Sequence, residues 1–216
     1  MIIIEDSLEA AGEHFTVTNQ RGLFWKKEKT LILSDIHIGK SAHFRKNGIA
    51  MPQNMLQNDL NRLSALIAHF IPEKIMIVGD LLHAGSNTEV DFFCKWKEDY
   101  EGTEFHLITG NHDRLSKAVA KQLCLTSQQP VADFGSIIFS HDVIDDVQKF
   151  QINGHIHPGV TLRSSVRNIR LPAFACTKSQ LILPAFSEFT GLDLKNTPRK
   201  GDFWLCTKEN LYHICK

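Results

Sequence analysis

Two short apolar segments on either side of an amphipathic segment constrain the fold of this chain more than any other feature. Thr30–Leu33 and Lys74–Val78 are almost wholly apolar, which is typical of strands buried on both faces of a sheet. From about Asn54 to Phe70, large apolar residues recur at intervals of three and four, and this spacing predicts a helix. Strand, helix and strand in this order predict a βαβ unit whose two strands are parallel and end at the same edge of a sheet.

The remaining segments extend this unit into an α/β fold. A third strand is predicted at Thr103–Thr109, with helices near Asn87–Tyr100 and Leu115–Leu123. Residues 1–28 predict a lid or an edge hairpin, and the second half of the chain predicts only short strands and turns. The short strands are Thr161–Arg163, Ile169–Cys176, Gln180–Leu183, Phe203–Thr207 and Leu211–Ile214, with an exposed loop at Leu192–Gly201. We therefore predict a single domain over residues 1–216, built as two mixed β-sheets packed as a sandwich flanked by helices.

Composition limits the classes of protein to which the chain can belong. The apolar and charged fractions, 43% and 22%, are typical of soluble globular proteins. The 24 basic and 24 acidic residues give zero net charge, so a nucleic-acid partner must be bound by a local patch. The five cysteines are odd in number and include no Cys-x-x-Cys pair, which argues against a disulfide framework and a thiolate zinc site. Apolar segments are too short for a membrane span or a signal peptide, so we expect a cytoplasmic protein without a membrane partner.

Side chains that bind metals or transfer protons directly follow several predicted strands. They are Asp35 and His37, then Asp80, then Asn111, His112 and Asp113, then His141, and finally His155 and His157. In α/β folds, ligands bind where the strands have their carboxyl ends. A turn or capping role explains any one of these residues well, but five such stretches at successive strand ends favour a shared metal site.

The oxygen and imidazole groups in this set suit hard or borderline divalent ions. The candidate ligands are Asp35, His37, Asp80, Asn111, His141, His155 and His157. Asp80 stands alone in the sequence, as expected of a carboxylate that bridges two ions about 3.5–4 Å apart. Two such ions clamp a phosphoryl group and hold a hydroxide for in-line attack. His112 is left to protonate the leaving oxygen or to stabilise transition-state charge, and Asp113 can orient it.

Three basic residues are candidate contacts to a substrate phosphate. Lys40 and Arg45 lie in the basic segment Gly39–Arg45 that follows the first strand, and Arg114 follows Asp113. An exposed basic loop without a ligand explains Lys40 and Arg45 equally well.

Together the polar stretches resemble the five motif blocks of the calcineurin-like metallophosphoesterases, in the same order. The blocks are Asp35-x-His37, Gly79-Asp80, Gly110-Asn111-His112-Asp113, His141 and Gly154-His155-x-His157. The match extends from residue 31 to residue 158, most of the chain. Ser140 precedes His141 where many members have glycine, and we expect little consequence because only the imidazole is a ligand.

The resemblance implies a fold, a ligand set and a catalytic pair. The fold is a sandwich of two sheets flanked by helices. One ion is expected to bind Asp35, His37, Asp80 and His157, and the other Asp80, Asn111, His141 and His155. His112 is expected to be the catalytic histidine and Asp113 its partner.

A second resemblance is to the bacterial DNA-ligase-associated DNA-damage-response endonucleases. It rests on Leu23-Phe24-Trp25, Asp35-Ile36-His37-Ile38-Gly39-Lys40, Phe44-Arg45, Gly48-Ile49, Gly79-Asp80-Leu81-Leu82-His83 and Gly154-His155-Ile156-His157-Pro158. It implies a nucleic-acid phosphodiester substrate and manganese or similar ions, with iron, zinc and magnesium as alternatives. Ligase or helicase partners are implied by the same resemblance.

The main prediction is therefore a two-metal phosphodiesterase that acts on DNA, and other functions stay open. A small-molecule phosphodiesterase, for example one that hydrolyses cyclic nucleotides, needs the same ligand set. A binding scaffold without chemistry would have lost a ligand or His112, and neither loss is seen. A protein phosphatase is also compatible, although no feature favours a protein substrate.

Overall fold

The apolar strands of the first half lie side by side in one sheet, as predicted. The computed structural model describes residues 1–46, 48–52, 54–83, 88–113, 117–163 and 167–216. In chain order, the strands of this sheet are β1 (Glu5–Ala10), β2 (Glu13–Thr18), β3 (Leu23–Trp25), β4 (Thr30–Leu33), β5 (Lys74–Val78), β6 (Glu104–Ile108) and β7 (Ser127–Gln129). β1 to β4 pair antiparallel, whereas β4 to β7 pair parallel. The carboxyl ends of β4, β5 and β6 therefore meet at one edge, which we term the C-terminal edge.

The described residues form four α-helices, three of which contribute side chains to an apolar cluster on the outer face of this sheet. They are α1 (Lys40–Lys46), α2 (Met55–Phe70), α3 (Thr88–Lys97) and α4 (Lys117–Leu123), with a 3₁₀ turn at Glu98–Tyr100. The buried stripe of α2, which includes Leu56, Leu60 and Leu63, packs in one cluster with Leu31 and Ile75 of the strands. This cluster makes β4 and β5 apolar on their outer face, as the continuous apolar strands predict. No helix in the described ranges is both long and apolar enough to cross a membrane.

The second half of the chain forms a second, mixed sheet. Its strands are β8 (Val131–Asp133), β9 (Ile137–Ser140), β10 (Phe150–Asn153), β11 (Gly159–Arg163), β12 (Asn168–Cys176), β13 (Gln180–Ile182), β14 (Asp202–Cys206) and β15 (Leu211–Cys215). Their spatial order is β15-β14-β12-β13-β10-β9-β8, and β11 pairs with the first half of β12. β9, β10 and β13 are parallel, and a bridge between Ser34 and Ala185 joins the end of this sheet to the end of β4. The strands that carry predicted ligands therefore all end in one region.

The inner faces of the two sheets enclose the second apolar cluster. Phe15, Trp25, Phe139 and Phe174 are among its buried residues. Along β12, Ala173 and Ala175 point to the opposite face, where they pack with Phe203. The alternation places core on both faces of the second sheet. This two-sheet sandwich with helices on the first sheet confirms the predicted α/β class.

The predicted elements are confirmed wherever a clear apolar pattern exists, and the differences occur in short or polar segments. Gly39–Arg45, predicted as a basic loop, is largely the helix α1, and Phe44 is its only large apolar side chain. The strands β7 and β8 are missing from the prediction because three residues are too few to show an alternating pattern. Asn87 and the first two residues of the predicted helix Leu115–Leu123 lie outside the described residues.

Candidate metal centre

The loops that follow β4 and β5 run side by side at the C-terminal edge. The Asp35 amide donates to the Gly79 carbonyl oxygen at 3.1 Å, and the His37 amide donates to the Asp80 carbonyl oxygen at 2.9 Å. Asp35, His37 and Asp80 all have left-handed backbones, with φ values of 54°, 53° and 45°. Non-glycine residues rarely adopt this conformation, and strained residues cluster at functional sites. The left-handed backbone conformation of the three residues thus fixes the directions of their side chains at this edge.

Asp35, His37 and His157 form the first group of candidate ligands, which we term group 1. Their ligand atoms lie within 4.8 Å of one another. Asp35 Oδ1 is 3.1 Å from His157 Nε2 and 4.0 Å from His37 Nε2. Among the described residues, Asp35 Oδ1 and both ring nitrogens of His37 are buried without a hydrogen-bond partner. Each such atom costs about 1–3 kcal/mol, and a shared cation would satisfy several of them at once.

Asp80, His141 and His155 form group 2, whose ligand atoms also lie within 4.8 Å of one another. His141 Nε2 is 3.5 Å from Asp80 Oδ2, 3.2 Å from His155 Nδ1 and 3.0 Å from Asn111 Oδ1. His141 Nδ1 is 3.3 Å from the Val78 carbonyl oxygen. A proton on Nδ1 can be donated to that oxygen, and Nε2 then presents its lone pair to the group. Asn111 thus joins group 2, and all seven predicted ligands lie in or against the two groups.

Glycines beside the ligands allow the two groups to approach the backbone closely. A Cβ atom on Gly79 would overlap the His141 ring, and one on Gly110 would overlap the Asp80 carboxylate. A Cβ atom on Gly154 would lie 2.8 Å from Asp35 Oδ2. The glycines of the sequence motifs are therefore needed because ligand side chains occupy the space that a larger residue would take.

The protonation of the buried side chains fits cation binding. Burial lowers the pKa of His37 to about 3, and the Lys40 ammonium adds to the effect, so the imidazole is neutral. Burial would raise the pKa of Asp80, but hydrogen bonds from His141 and the His112 amide outweigh it and lower the pKa to about 2. A neutral imidazole and an ionised carboxylate are the forms that bind metals. The residues of groups 1 and 2 therefore fit divalent ions in donor type, and His37 and Asp80 also fit them in protonation.

His112 lies at the mouth of the centre with an exposed side chain, and Asp113 lies buried beside it. The His112 amide donates to Asp80 Oδ1 at 3.0 Å, and its ring centroid is 6.0 Å from that of His37. Asp113 accepts from the amides of Leu82 and Gly110, at 2.9 and 2.8 Å. These bonds tie the His112 loop to the loop after β5. The role of Asp113 as partner of His112 stays a prediction, because its carboxylate oxygens accept from backbone amides.

The predicted phosphate contacts have different surroundings. Lys40 is half-buried, its Nζ lies 3.5 Å from Thr190 Oγ1, and burial lowers its pKa against the opposing effect of Asp35 and Asp80. Arg45 instead forms an ion pair with Glu89, with 2.8 Å between Nη2 and Oε1. Arg114 lies outside the described residues. Lys40 is thus the basic side chain whose electrostatic surroundings link it to the metal centre.

Sequence reasoning missed two features of the centre. The His83 ring lies between other rings, with centroids 5.3 Å from His112 and 5.6 Å from His37. Its position three residues after Asp80 was the available signal. The second feature is the segment after β13, where the Ser187 amide donates to the Asp35 carbonyl oxygen at 3.2 Å. Its apolar and polar residues carry no pattern that predicts this contact.

Comparison with known proteins identifies the family. The calcineurin-like phosphoesterase family matches residues 28–175, which is more than half of the chain. The chain belongs to this family. Among solved structures, the Pseudomonas putida nuclease MPE is similar over 98% of this chain and 100% of that chain, with TM-score 0.83 and 24% sequence identity. Yfce, a phosphoesterase from E. coli, is similar over 86% of this chain and 98% of that chain, with TM-score 0.44 and 12% identity.

No curated protein sequence matches the chain significantly. Family membership makes the protein a metal-dependent phosphoesterase of the calcineurin-like class. Groups 1 and 2 are the residues that would hold its ions. When bound, divalent ions supply Lewis-acid stabilisation to a phosphoryl group and to its attacking and leaving oxygens.

Proposed function

We propose that this phosphoesterase is a nuclease that hydrolyses DNA phosphodiester bonds and acts in DNA repair. Two divalent ions, manganese by preference, are held by groups 1 and 2. Ligase or helicase partners are proposed from the sequence resemblance to ligase-associated endonucleases alone. The five cysteines are free thiols, which fits a reducing cytoplasm.

The observation that carries the proposal is the adjacency of two candidate ligand groups at one edge. Group 1 and group 2 are joined directly, because the His155 amide donates to Asp35 Oδ2 at 3.2 Å. Adjacent sites of this kind suit the displacement of one phosphate oxygen by another. The similar Pseudomonas putida protein is described as a nuclease, which supports a polynucleotide substrate.

The protein side chains have separate roles in this proposal. Groups 1 and 2 would hold the two ions, which would supply Lewis-acid stabilisation to the scissile phosphate. The exposed imidazole of His112 protonates the leaving oxygen, or stabilises the negative charge that develops on it. The Lys40 ammonium offsets the charge of the non-bridging phosphate oxygens. A polynucleotide reaches these groups because His112 and His155 are both exposed.

The test is hydrolysis by purified protein with added Mn²⁺. Parallel reactions contain single-stranded circular DNA, a cyclic nucleotide, and chromogenic phosphate monoesters and diesters. Asp80→Ala protein, prepared in the same way, detects contaminating nucleases. We expect the circle to be linearised by wild-type protein and to stay intact with the variant.

The substrate profile decides between this proposal and its alternative. Cleavage of the circle supports an endonuclease, because a circle has no end for an exonuclease. Turnover of the cyclic nucleotide and the small diesters alone would overturn the DNA substrate while leaving a phosphodiesterase. Full activity of Asp80→Ala protein would contradict the assignment of the metal centre itself.

A further inference from the structure

The positive charge of this chain is unevenly distributed. Residues 147–187 contain no aspartate or glutamate, but they contain Lys149, Arg163, Arg167, Arg170 and Lys178. The segment 194–201 adds three more basic residues without an acidic one. Because the whole chain has zero net charge, the acidic residues are concentrated elsewhere. The second half therefore contains cations from which a neutral protein can form a local basic site for a polyanion.

Part of this charge lines one cavity beside β11. The cavity has a volume of about 340 Å³, and Arg163, Arg199 and Lys216 are among its lining residues. Thr161 and Thr197 line it as well, and none of its lining residues within the described part of the chain is acidic. A cavity lined by several cations and hydroxyl groups, without an acidic side chain among its described lining residues, suits a phosphate-bearing ligand.

Several other basic residues of the molecule are already paired with acidic side chains. Lys27, Lys29 and Lys149, for example, form ion pairs with Glu13, Glu73 and Asp133. Within the described ranges, the exposed side chains of Arg163 and Arg199 have no carboxylate within ion-pair distance. Their charge is therefore available to a ligand.

The cavity lies beside the segment that contains His157 of group 1. The Asp193 amide donates to the His157 carbonyl oxygen at 3.0 Å. The Gly159 amide donates to Thr197 Oγ1 at 3.0 Å, and Gly159 itself lines the cavity. Gly159 is two residues from His157, which is a distance of at most about 7 Å along the chain. The cavity wall therefore begins next to a ligand of the metal centre.

We propose that this cavity binds backbone phosphates of the polynucleotide that flank the scissile bond. The inference rests on the proposed nuclease function and gives it a second contact site. Arg163 and Arg199 act as phosphate clamps, because an arginine guanidinium can donate two hydrogen bonds to one phosphate. Small diesters lack the flanking phosphates and use the metal centre alone.

The test compares two double variants with equal charge change. Arg163→Glu/Arg199→Glu alters the cavity. Lys26→Glu/Lys178→Glu is the control, because Lys26 precedes β4 and Lys178 follows β12, at the edge opposite the metal centre. Binding of a fluorescein-labelled single-stranded oligonucleotide is measured by anisotropy in EDTA, over a range of salt concentrations. Turnover of a chromogenic phosphodiester with Mn²⁺ reports on the metal centre.

We expect the cavity variant to bind the oligonucleotide about 10-fold more weakly than wild type. The slope of log K against log salt should become shallower by about 1.4, because two phosphate contacts are lost on a single strand. Its turnover of the chromogenic diester should match that of the control variant. Oligonucleotide affinity and salt slope equal to those of the control would overturn the inference.

The proposed function fails in a different way. Wild-type protein that hydrolyses the chromogenic diester but cleaves no DNA would overturn the nuclease assignment. The binding experiment is carried out without metal and without cleavage. It therefore decides the role of the cavity independently of that result.

Discussion

The two ligand groups lie at the same edge of the fold but are held together differently. In group 1, both ring nitrogens of the buried His37 have no hydrogen-bond partner among the described residues. In group 2, His141 contacts Asp80, Asn111 and the Val78 carbonyl oxygen. Group 1 therefore contains buried polar atoms that a bound cation would satisfy, whereas His141 of group 2 is already positioned by protein contacts.

Substitution of Asp80 should give the largest effect, because its buried carboxylate belongs to group 2 and also accepts from the His112 amide. Asp80→Ala should reduce turnover to less than about a thousandth of the wild-type rate. Its metal content should also fall. Turnover with Mn²⁺ and bound metal are measured on the same protein samples.

Asp145→Ala is the matched control, since Asp145 is exposed and lies outside both groups. It should have wild-type turnover. Near-wild-type activity of Asp80→Ala would show that neither group depends on this carboxylate.

A methyl group at position 79 should disrupt group 2 by displacing His141. Gly79 has φ +84° and Gly12 has φ +78°, but only the Cβ atom at position 79 would overlap the imidazole. Gly79→Ala should therefore reduce turnover about 100-fold, as expected when a catalytic group is misplaced by about 1 Å. Gly12→Ala should only lower stability by about 1–2 kcal/mol. Equal turnover of the two variants would contradict the close packing of His141 against the backbone.

Loss of the His112 imidazole should reduce the rate without emptying either group. His112→Ala should lower DNA cleavage about 10²–10⁴-fold, the usual contribution of a general acid. Its metal content should equal that of wild type, since His112 belongs to neither group. His14→Ala, which removes an exposed imidazole from β2, is the control. If His112→Ala lost its metal, the imidazole would be a ligand rather than a proton donor.

The smallest effect is expected for the stability of the metal-free protein, which also tests the difference between the two groups. In EDTA, the free energy of unfolding of His141→Ala protein should be about 1–3 kcal/mol lower than that of His37→Ala protein. The reason is that only the His141 side chain has hydrogen-bond partners to lose. Urea unfolding of both variants and wild type measures this. Equal losses would mean that group 2 is no better organised than group 1.

The sequence predicts the site well where residues directly follow apolar strands. The ends of parallel strands coincide in space, so Asp35, Asp80 and Asn111 could be placed together from the strand pattern. Contacts between distant segments could not be predicted. Arg45 pairs with Glu89, 44 residues away, and this pairing depends on how α1 packs. Local patterns contain no information about such partners.

The same limit applies to short elements and to loops with unusual backbones. β7 is a three-residue polar strand, defined only by its parallel pairing with β6. The position of the His83 ring follows from the loop after Asp80, whose left-handed φ of 45° no propensity predicts. The fold class was therefore predictable from the sequence, whereas the side-chain contacts around the metal centre were not.

The most direct test is the number of metal ions bound per chain. Wild-type, His37→Ala and His155→Ala proteins are loaded with Mn²⁺, and excess metal is removed by gel filtration. The bound manganese is then measured by elemental mass spectrometry. Two ions in wild type and about one in each variant are predicted, because each variant loses a ligand from a different group. One ion in wild type, or two in both variants, would contradict the account of two separate ligand groups.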